Sequence, residues 1–161
     1  MSYLIDLKKI QNFTHHVDTS FTKEVISTTL EYFPGTEVTY TPTSGASKVI
    51  YECDFQISWN PDAKGSYVYG RLQESTDGGS SWSTISGAYA SDGTFSAASD
   101  YDWFQVRYIF VINSWSGSKK LRIFGRTAST NQEFTIGRSW GANQSEEGPA
   151  VPPHVSIYSV M

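Results

Sequence analysis

The sequence predicts an all-β chain folded as an antiparallel sandwich, and three observations carry that reading. The run SKVIYECDFQISW sets Val49, Tyr51, Cys53, Phe55, Ile57 and Trp59 against Lys48, Ile50, Glu52, Asp54, Gln56 and Ser58. That two-residue period, apolar on one side and polar on the other except at Ile50, belongs to a half-buried strand. Aromatic residues make up 15% of the chain and charged residues only 17%, with no long Leu- or Ala-rich stretch; that balance favours strands over helices. Gly, Pro and Asp clusters interrupt the apolar runs at short intervals, as turns do in sandwiches and barrels.

The elements follow in order. Residues 3–10 read as a strand or a short helix, and residues 25–33 are rich in β-formers and stop at Pro34-Gly35. Residues 36–41 read as a strand ended by Pro42. After the long strand, Asn60-Pro61-Asp62 with Gly65 marks a turn. Residues 67–74 form the next strand, with Tyr67, Tyr69 and Arg71 on one side and Val68, Gly70 and Leu72 on the other. Asp77-Gly78 is a tight-turn signal, and a short strand over 82–85 closes the hairpin. Residues 86–102 are small and polar, which predicts a surface loop holding at most a short strand near Thr94-Phe95. In residues 103–115, Val106, Tyr108, Phe110 and Ile112 share one face while Ile109 and Val111 stand on the other. A strand apolar on both sides is usually covered on both sides. Residues 119–127 and 133–140 are further strands, 141–153 a loop, and 154–160 a final strand. The total is about eight to ten strands, the pattern of a β-sandwich or jelly roll.

Length and charge narrow the classes. The 161 residues suffice for one domain with its own core. The formal net charge is −4 and no Lys/Arg run exceeds the pairs Lys8-Lys9 and Lys119-Lys120, so the basic footprint of a nucleic-acid binder is missing. No apolar stretch approaches the roughly 18 residues of a membrane-spanning helix. The opening MSYLIDLKKI lacks the layout of a signal peptide, so the expected place of synthesis is a cytoplasm, with no membrane insertion. Cys53 is the single cysteine, which leaves no intrachain disulfide; its inward position reads as a buried structural thiol.

One stretch invites an enzymatic reading. In ESTDGGSSWS, Ser75, Asp77, Gly79, Ser81 and Trp82 fit S-x-D-x-G-x-[S/T]-W. This resembles the Asp box of sialidases and other β-propeller glycosidases, where it is a structural turn away from the active site and recurs once per blade. Here it occurs once, and a propeller needs several blades of about 40 to 50 residues. The mechanical reading is a turn whose carboxylate accepts backbone N–H groups and whose Trp folds over the hairpin base. Other chemistry is equally thin. His15 and His16 are adjacent and so point to opposite faces of a strand, and His154 opens the last strand. Asp100 and Asp102, with Glu146 and Glu147, read as solvated loop charges rather than a glycosidase pair. Arg71, Arg107, Arg122, Arg126 and Arg138 read as outward strand residues paired with Glu and Asp. No motif assigns a catalytic residue, a cofactor or a metal.

Three segments carry a family resemblance: GTEVTYTPTSGASKVIYECDFQISW (35–59), RLQESTDGGSSW (71–82) and PPHVSIYSVM (152–161). With YTPTSGASKV leading into the long strand and a strand at the last residues, they are similar to small jelly-roll domains of tailed-bacteriophage structural proteins. Those are laid out like the trimeric complement/tumour-necrosis-factor jelly roll. The resemblance covers about residues 35–161 and implies a homotrimer on a virion, as a capsid decoration or cement, a tail fibre tip or a knob, with no catalytic residues. Its partners would be copies of itself, major capsid or tail proteins, and a host glycan. Residues 1–34 would then be an attachment arm or lead-in strands, and 35–161 the sandwich. The surplus apolar strand supplies an expected interface of Val106, Tyr108, Ile109, Phe110, Val111 and Ile112. Loop-side aromatics include Trp103 and Trp140, and six others form an expected ligand-facing set: Tyr67, Tyr69, Trp82, Tyr89, Tyr101 and Trp115. The alternative they support is a carbohydrate-binding module.

Overall fold

The computed structural model of the chain describes residues 9–59, 66–95, 103–127, 134–137 and 149–161. These form eleven strands and no α-helix: β1 (Ile10–Val17), β2 (Glu24–Ile26), β3 (Glu31–Tyr32), β4 (Val38–Tyr40), β5 (Lys48–Trp59), β6 (Ser66–Ser75), β7 (Ser83–Phe95), β8 (Trp103–Asn113), β9 (Lys119–Thr127), β10 (Phe134–Ile136) and β11 (His154–Val160). Sheet A holds β1, β2, β5, β8, β10 and β11; sheet B holds β3, β4, β6, β7 and β9. All the ladders are antiparallel.

Several strands lie end to end. β11 pairs with Lys48–Asp54 of β5 and β10 with its last three residues, while β3 and β4 share β9 in the same way. Counted as rows in chain order, sheet A reads 1-8-3-6 and sheet B 2-7-4-5. Only β6 and β7 join as a hairpin within one sheet; every other connection between rows crosses the sandwich. This is the jelly-roll connection.

The core sits between the sheets. From sheet A it takes Val49, Tyr51, Cys53, Phe55 and Ile57 of β5, the alternating set the sequence predicts, with Val106, Tyr108, Phe110 and Ile112 of β8. From sheet B it takes Val68 and Leu72 of β6 and Leu121 and Ile123 of β9. Two buried tyrosines find acceptors, as buried phenols require. Tyr108 Oη donates to the Val68 carbonyl across the sandwich at 2.7 Å, and Tyr51 Oη donates to the Thr36 carbonyl. Tyr108 fits because Gly70 lies beneath it: a Cβ there would stand 2.6 Å from the ring. Gly125, paired with Gly70 across the ladder, receives Phe33 in the same dent.

Residues 10–33 are woven into both sheets. β1 pairs with β11, β2 with β10 and β3 with β9, and Ile26 and Phe33 are fully buried. In β1 one extra residue opposes β11 between Gln11 and Thr14. Asn12 takes φ 51° there, a left-handed conformation Asn tolerates.

The sequence reading of 86–102 needs correction. Residues 86–95 continue a strand that begins at Ser83. Opposite two steps of β6, from Arg71 to Gln73, β7 spends five, from Tyr89 to Thr84. The extra residues, with Gly87 at φ 76°, bulge from the ladder and break the alternation that would have betrayed a strand. Of the strand expected over 133–140, the described residues hold Phe134–Ile136, followed by Gly137 at φ 71°; residues 133 and 138–140 lie outside the described residues.

Cys53 is buried, and burial, helped by the charge of Asp54, pushes its thiol far above the ordinary value. A thiol reagent should therefore label the native chain only as fast as the fold opens, and immediately in denaturant. Rapid stoichiometric labelling of the native chain would contradict this placement.

Candidate functional site

With the interior closed by aliphatic and aromatic side chains, the functional surfaces are the two outer faces and the β6–β7 turn. The turn is the Asp-box stretch. Ser75 Oγ and Asp77 Oδ1 lie 2.7 Å apart, the Gly79 amide donates to Ser75 Oγ at 2.8 Å, and the Ser81 amide donates to Asp77 Oδ1 at 3.0 Å. Ser81 Oγ donates to the second carboxylate oxygen. Hydrogen bonds from Ser81 and Ser75 hold the Asp77 carboxyl well below the usual carboxylate range. Each partner belongs to the turn, so the motif is a mechanical clasp. A carboxyl depressed in the fold stabilises it above the unfolded value and loses that contribution as pH falls through the folded one. Asp77→Ala should lower the melting temperature at neutral pH, and the gap to the parent should close as pH drops below about 4. A gap independent of pH would show that the carboxylate does not carry the turn.

The clasp also aims Trp82. Its Nε1 donates to the Gly79 carbonyl at 3.0 Å, and its ring lies 3.9 Å from the guanidinium carbon of Arg122 on β9. That guanidinium also faces Tyr32 at 5.2 Å and Phe124 at 5.8 Å, while Arg122 Nε donates to Gln73 at 3.0 Å. Beside it the register sets Tyr32, Phe124, Arg71 and Tyr89 in one row across β3, β9, β6 and β7. Tyr69 and Tyr89 stack with centroids 6.3 Å apart, and Arg71 lies 5.1 and 5.5 Å from the two rings. The outer face of sheet B is thus a platform of aromatic rings interleaved with arginines.

Of the expected ligand-facing set, Tyr69, Trp82 and Tyr89 meet on this platform. Trp115 does not; it packs edge-on to Tyr40 beneath Lys119. The side chain of Tyr67 and all of Tyr101 lie outside the described residues, as do Asp100, Asp102, Glu146, Glu147, Arg138 and Trp140 and the side chain of Trp103. Tyr32 and Phe124 are members that the sequence reading missed, since only cross-strand register joins them to Arg71.

The outer face of sheet A differs. Four of the six residues expected at an interface, Val106, Tyr108, Phe110 and Ile112, fill this chain's own core and offer no surface. Their outward neighbours Ile109 and Val111 are 52% and 61% exposed. Val111 aligns with Ile50 and Tyr158, and Tyr158 stacks on Phe13, itself 60% exposed, at 6.0 Å. An apolar stripe therefore crosses β1, β11, β5 and β8. It is flanked by Glu52, which accepts from Arg107 at 2.8 Å and from Tyr158 Oη at 3.0 Å. Burial, then the bond to Glu52, pushes Tyr158 up to about 12.

The remaining titratable residues gather little. His15 and His154 stand 5.5 Å apart between ring centroids, with His15 Nδ1 3.1 Å from Ser156 Oγ. Among the described residues no group of three ligating side chains forms. An open cleft of about 420 Å³ lies beside Trp115 and the β7 bulge; its carboxylate, Glu74, is paired with Lys119 at 2.7 Å.

No protein-family model and no curated protein matches the chain. Among solved structures it is similar to Eiger TNF from S. frugiperda, with 7% identity, 94% of each chain covered and a TM-score of 0.40. It is also similar to a chain of infectious bursal disease virus, Gt strain, at 12% identity and a TM-score of 0.37; the match covers 93% of this chain and 38% of the viral one. A third is TmCBM61, solved with β-1,4-galactotriose, at 12% identity, 91% and 86% coverage and a TM-score of 0.24. The chain's own strand order makes it a jelly-roll β-sandwich.

Proposed function

We propose that this chain is a non-enzymatic structural protein of a virion that assembles with copies of itself through the outer face of sheet A. The supporting observation is the apolar stripe in which exposed Phe13 and Val111 flank the buried Tyr158 and part-buried Ile50, with exposed Ile109 beside Val111. Half-exposed aliphatic residues aligned on a rigid sheet are unfavourable in water, and a contiguous apolar patch of this kind marks a contact surface. The resemblance of segments 35–59, 71–82 and 152–161 to jelly-roll domains of tailed-phage structural proteins is the basis for three copies and for a place in the capsid or tail, against major capsid or tail proteins.

The test is mass in solution. Light scattering at micromolar concentration should return three times the 17.9 kDa of one chain. Val111→Lys and Ile109→Glu, each at an exposed position, should leave the chain folded and monomeric. A parent chain that is monomeric at the same concentration would overturn the assembly reading. Absence of the protein from purified particles would overturn the virion assignment.

A further inference from the structure

We infer that the outer face of sheet B is a binding site for an acidic polysaccharide, a polymer of carboxylate-bearing sugars. The inference is independent of assembly through sheet A.

Two kinds of group meet on this face. Tyr69, Tyr89, Phe124 and Tyr32 stand on strands held in the ladder, and they bring apolar ring faces to one surface, with Tyr69 stacked on Tyr89. Such planes stack on the apolar face of a pyranose ring at little entropic cost, because the strands are already ordered. Between them stand Arg71, Arg122 and Arg126. Among the described residues no carboxylate lies within ion-pair distance of these three, whereas Lys119 and Lys120 each have one at 2.7 Å and Arg107 has two, at 2.8 and 3.7 Å. Glu37, whose charge acts on Arg122, is itself held by Lys120 at 2.7 Å. Arg71 and Arg122, expected to pair with Glu and Asp, lie against aromatic rings instead. Arg71 Nε donates to Tyr69 Oη and Arg122 Nε to Gln73, each at 3.0 Å; the terminal N–H groups of the two guanidiniums are the donors left to meet a carboxylate.

The chain as a whole carries −4, so a face whose arginines have no carboxylate partner among the described residues stands against its own background. That selects an anionic ligand, and the aromatic spacing selects one with rings to stack. A carboxylated glycan meets both requirements. The Asp-box clasp takes its place here as the support of Trp82, which holds Arg122.

The experiment titrates the full chain, by calorimetry at low salt, with polygalacturonate oligomers, with polysialic acid, and with carboxyl-reduced polygalacturonate of the same length. One or both acidic polymers should bind, and the arm that binds identifies the sugar. The reduced polymer should bind about tenfold or more weakly, as should Arg71→Gln or Tyr89→Ala with the acidic one. Arg107→Gln, on the opposite sheet, should bind as the parent does. Three results would overturn the site: no binding of either acidic polymer, equal binding of the reduced polymer, or poly-glutamate bound as tightly with Tyr89→Ala without effect. The last would make the face a docking site for acidic peptide. Mass measured on the same samples separates this outcome from any failure of assembly.

Discussion

A chain that begins at residue 35 should not fold. Removing residues 1–34 strips β1 from β11, β2 from β10 and β3 from β9. It also empties two fully buried positions, Ile26 and Phe33. Phe33 is the larger loss: its ring meets Phe55 and Phe134 edge-on at 5.7 and 5.8 Å. Its carbonyl accepts from Thr36 Oγ1 at 2.6 Å, and Thr36 Oγ1 in turn accepts from the Ile123 amide at 3.0 Å. Phe→Ala in a core costs about 3–5 kcal/mol, against a typical total of about 5–15 kcal/mol for a domain. The shortened chain should lack a cooperative thermal transition, and Phe33→Ala in the full chain should lower stability by that amount in urea. A truncated chain with a sharp transition near that of the parent would show that residues 10–33 only decorate a self-sufficient sandwich.

Gly125→Ala should cost about 3 kcal/mol or more, at or beyond the upper end of overpacking. The added methyl would stand 2.1 Å from the Tyr69 carbonyl oxygen and 2.6 Å from Phe33 Cζ. The first contact is with backbone held in the β6–β9 ladder, so no side-chain rotation relieves it. Gly70→Ala is the milder companion, because its methyl meets only side chains, Tyr108 at 2.6 Å and Ile123 at 3.3 Å. Tyr108 is nevertheless tethered by its bond to the Val68 carbonyl, which limits its retreat. Urea denaturation should rank parent, Gly70→Ala and Gly125→Ala in falling stability. A Gly125→Ala chain as stable as the parent would mean that the sheets do not close over this dent.

The elements legible in the sequence are those whose environment differs between their faces. β5 and β9 alternate because one side meets the core and the other water, and both appear at their full length. β8 signalled that something unusual happens on its outer side, but the period could not assign which apolar set faces inward. The deeper set belongs to the chain's own core, and Ile109 and Val111 are the surplus. β1 is not legible in the sequence and β7 only at its two ends, near 82–85 and 94–95, because both are edge strands whose bulges interrupt the alternation. The platform on sheet B was half visible: Tyr69 and Arg71 fall on one side of β6 by alternation alone. Tyr32 and Phe124 join them through register between strands distant in sequence, information that local periodicity does not contain.

The strand His154–Val160 lies in the interior of its sheet, between Ile10–Val17 and the long Lys48–Trp59 strand. Both neighbours leave the ribosome well before the residues that must separate them. Until residue 160 is made, each carries a bare hydrogen-bonding edge, and the two can meet only wrongly. Nascent chains of this protein should therefore stay soluble by delay or by chaperone cover, then close late. The contacts of His154–Val160 with Ile10–Val17 span 137 to 150 positions and those with Lys48–Asp54 span 100 to 112, so the closing step should fall in the millisecond-to-second range of all-β domains.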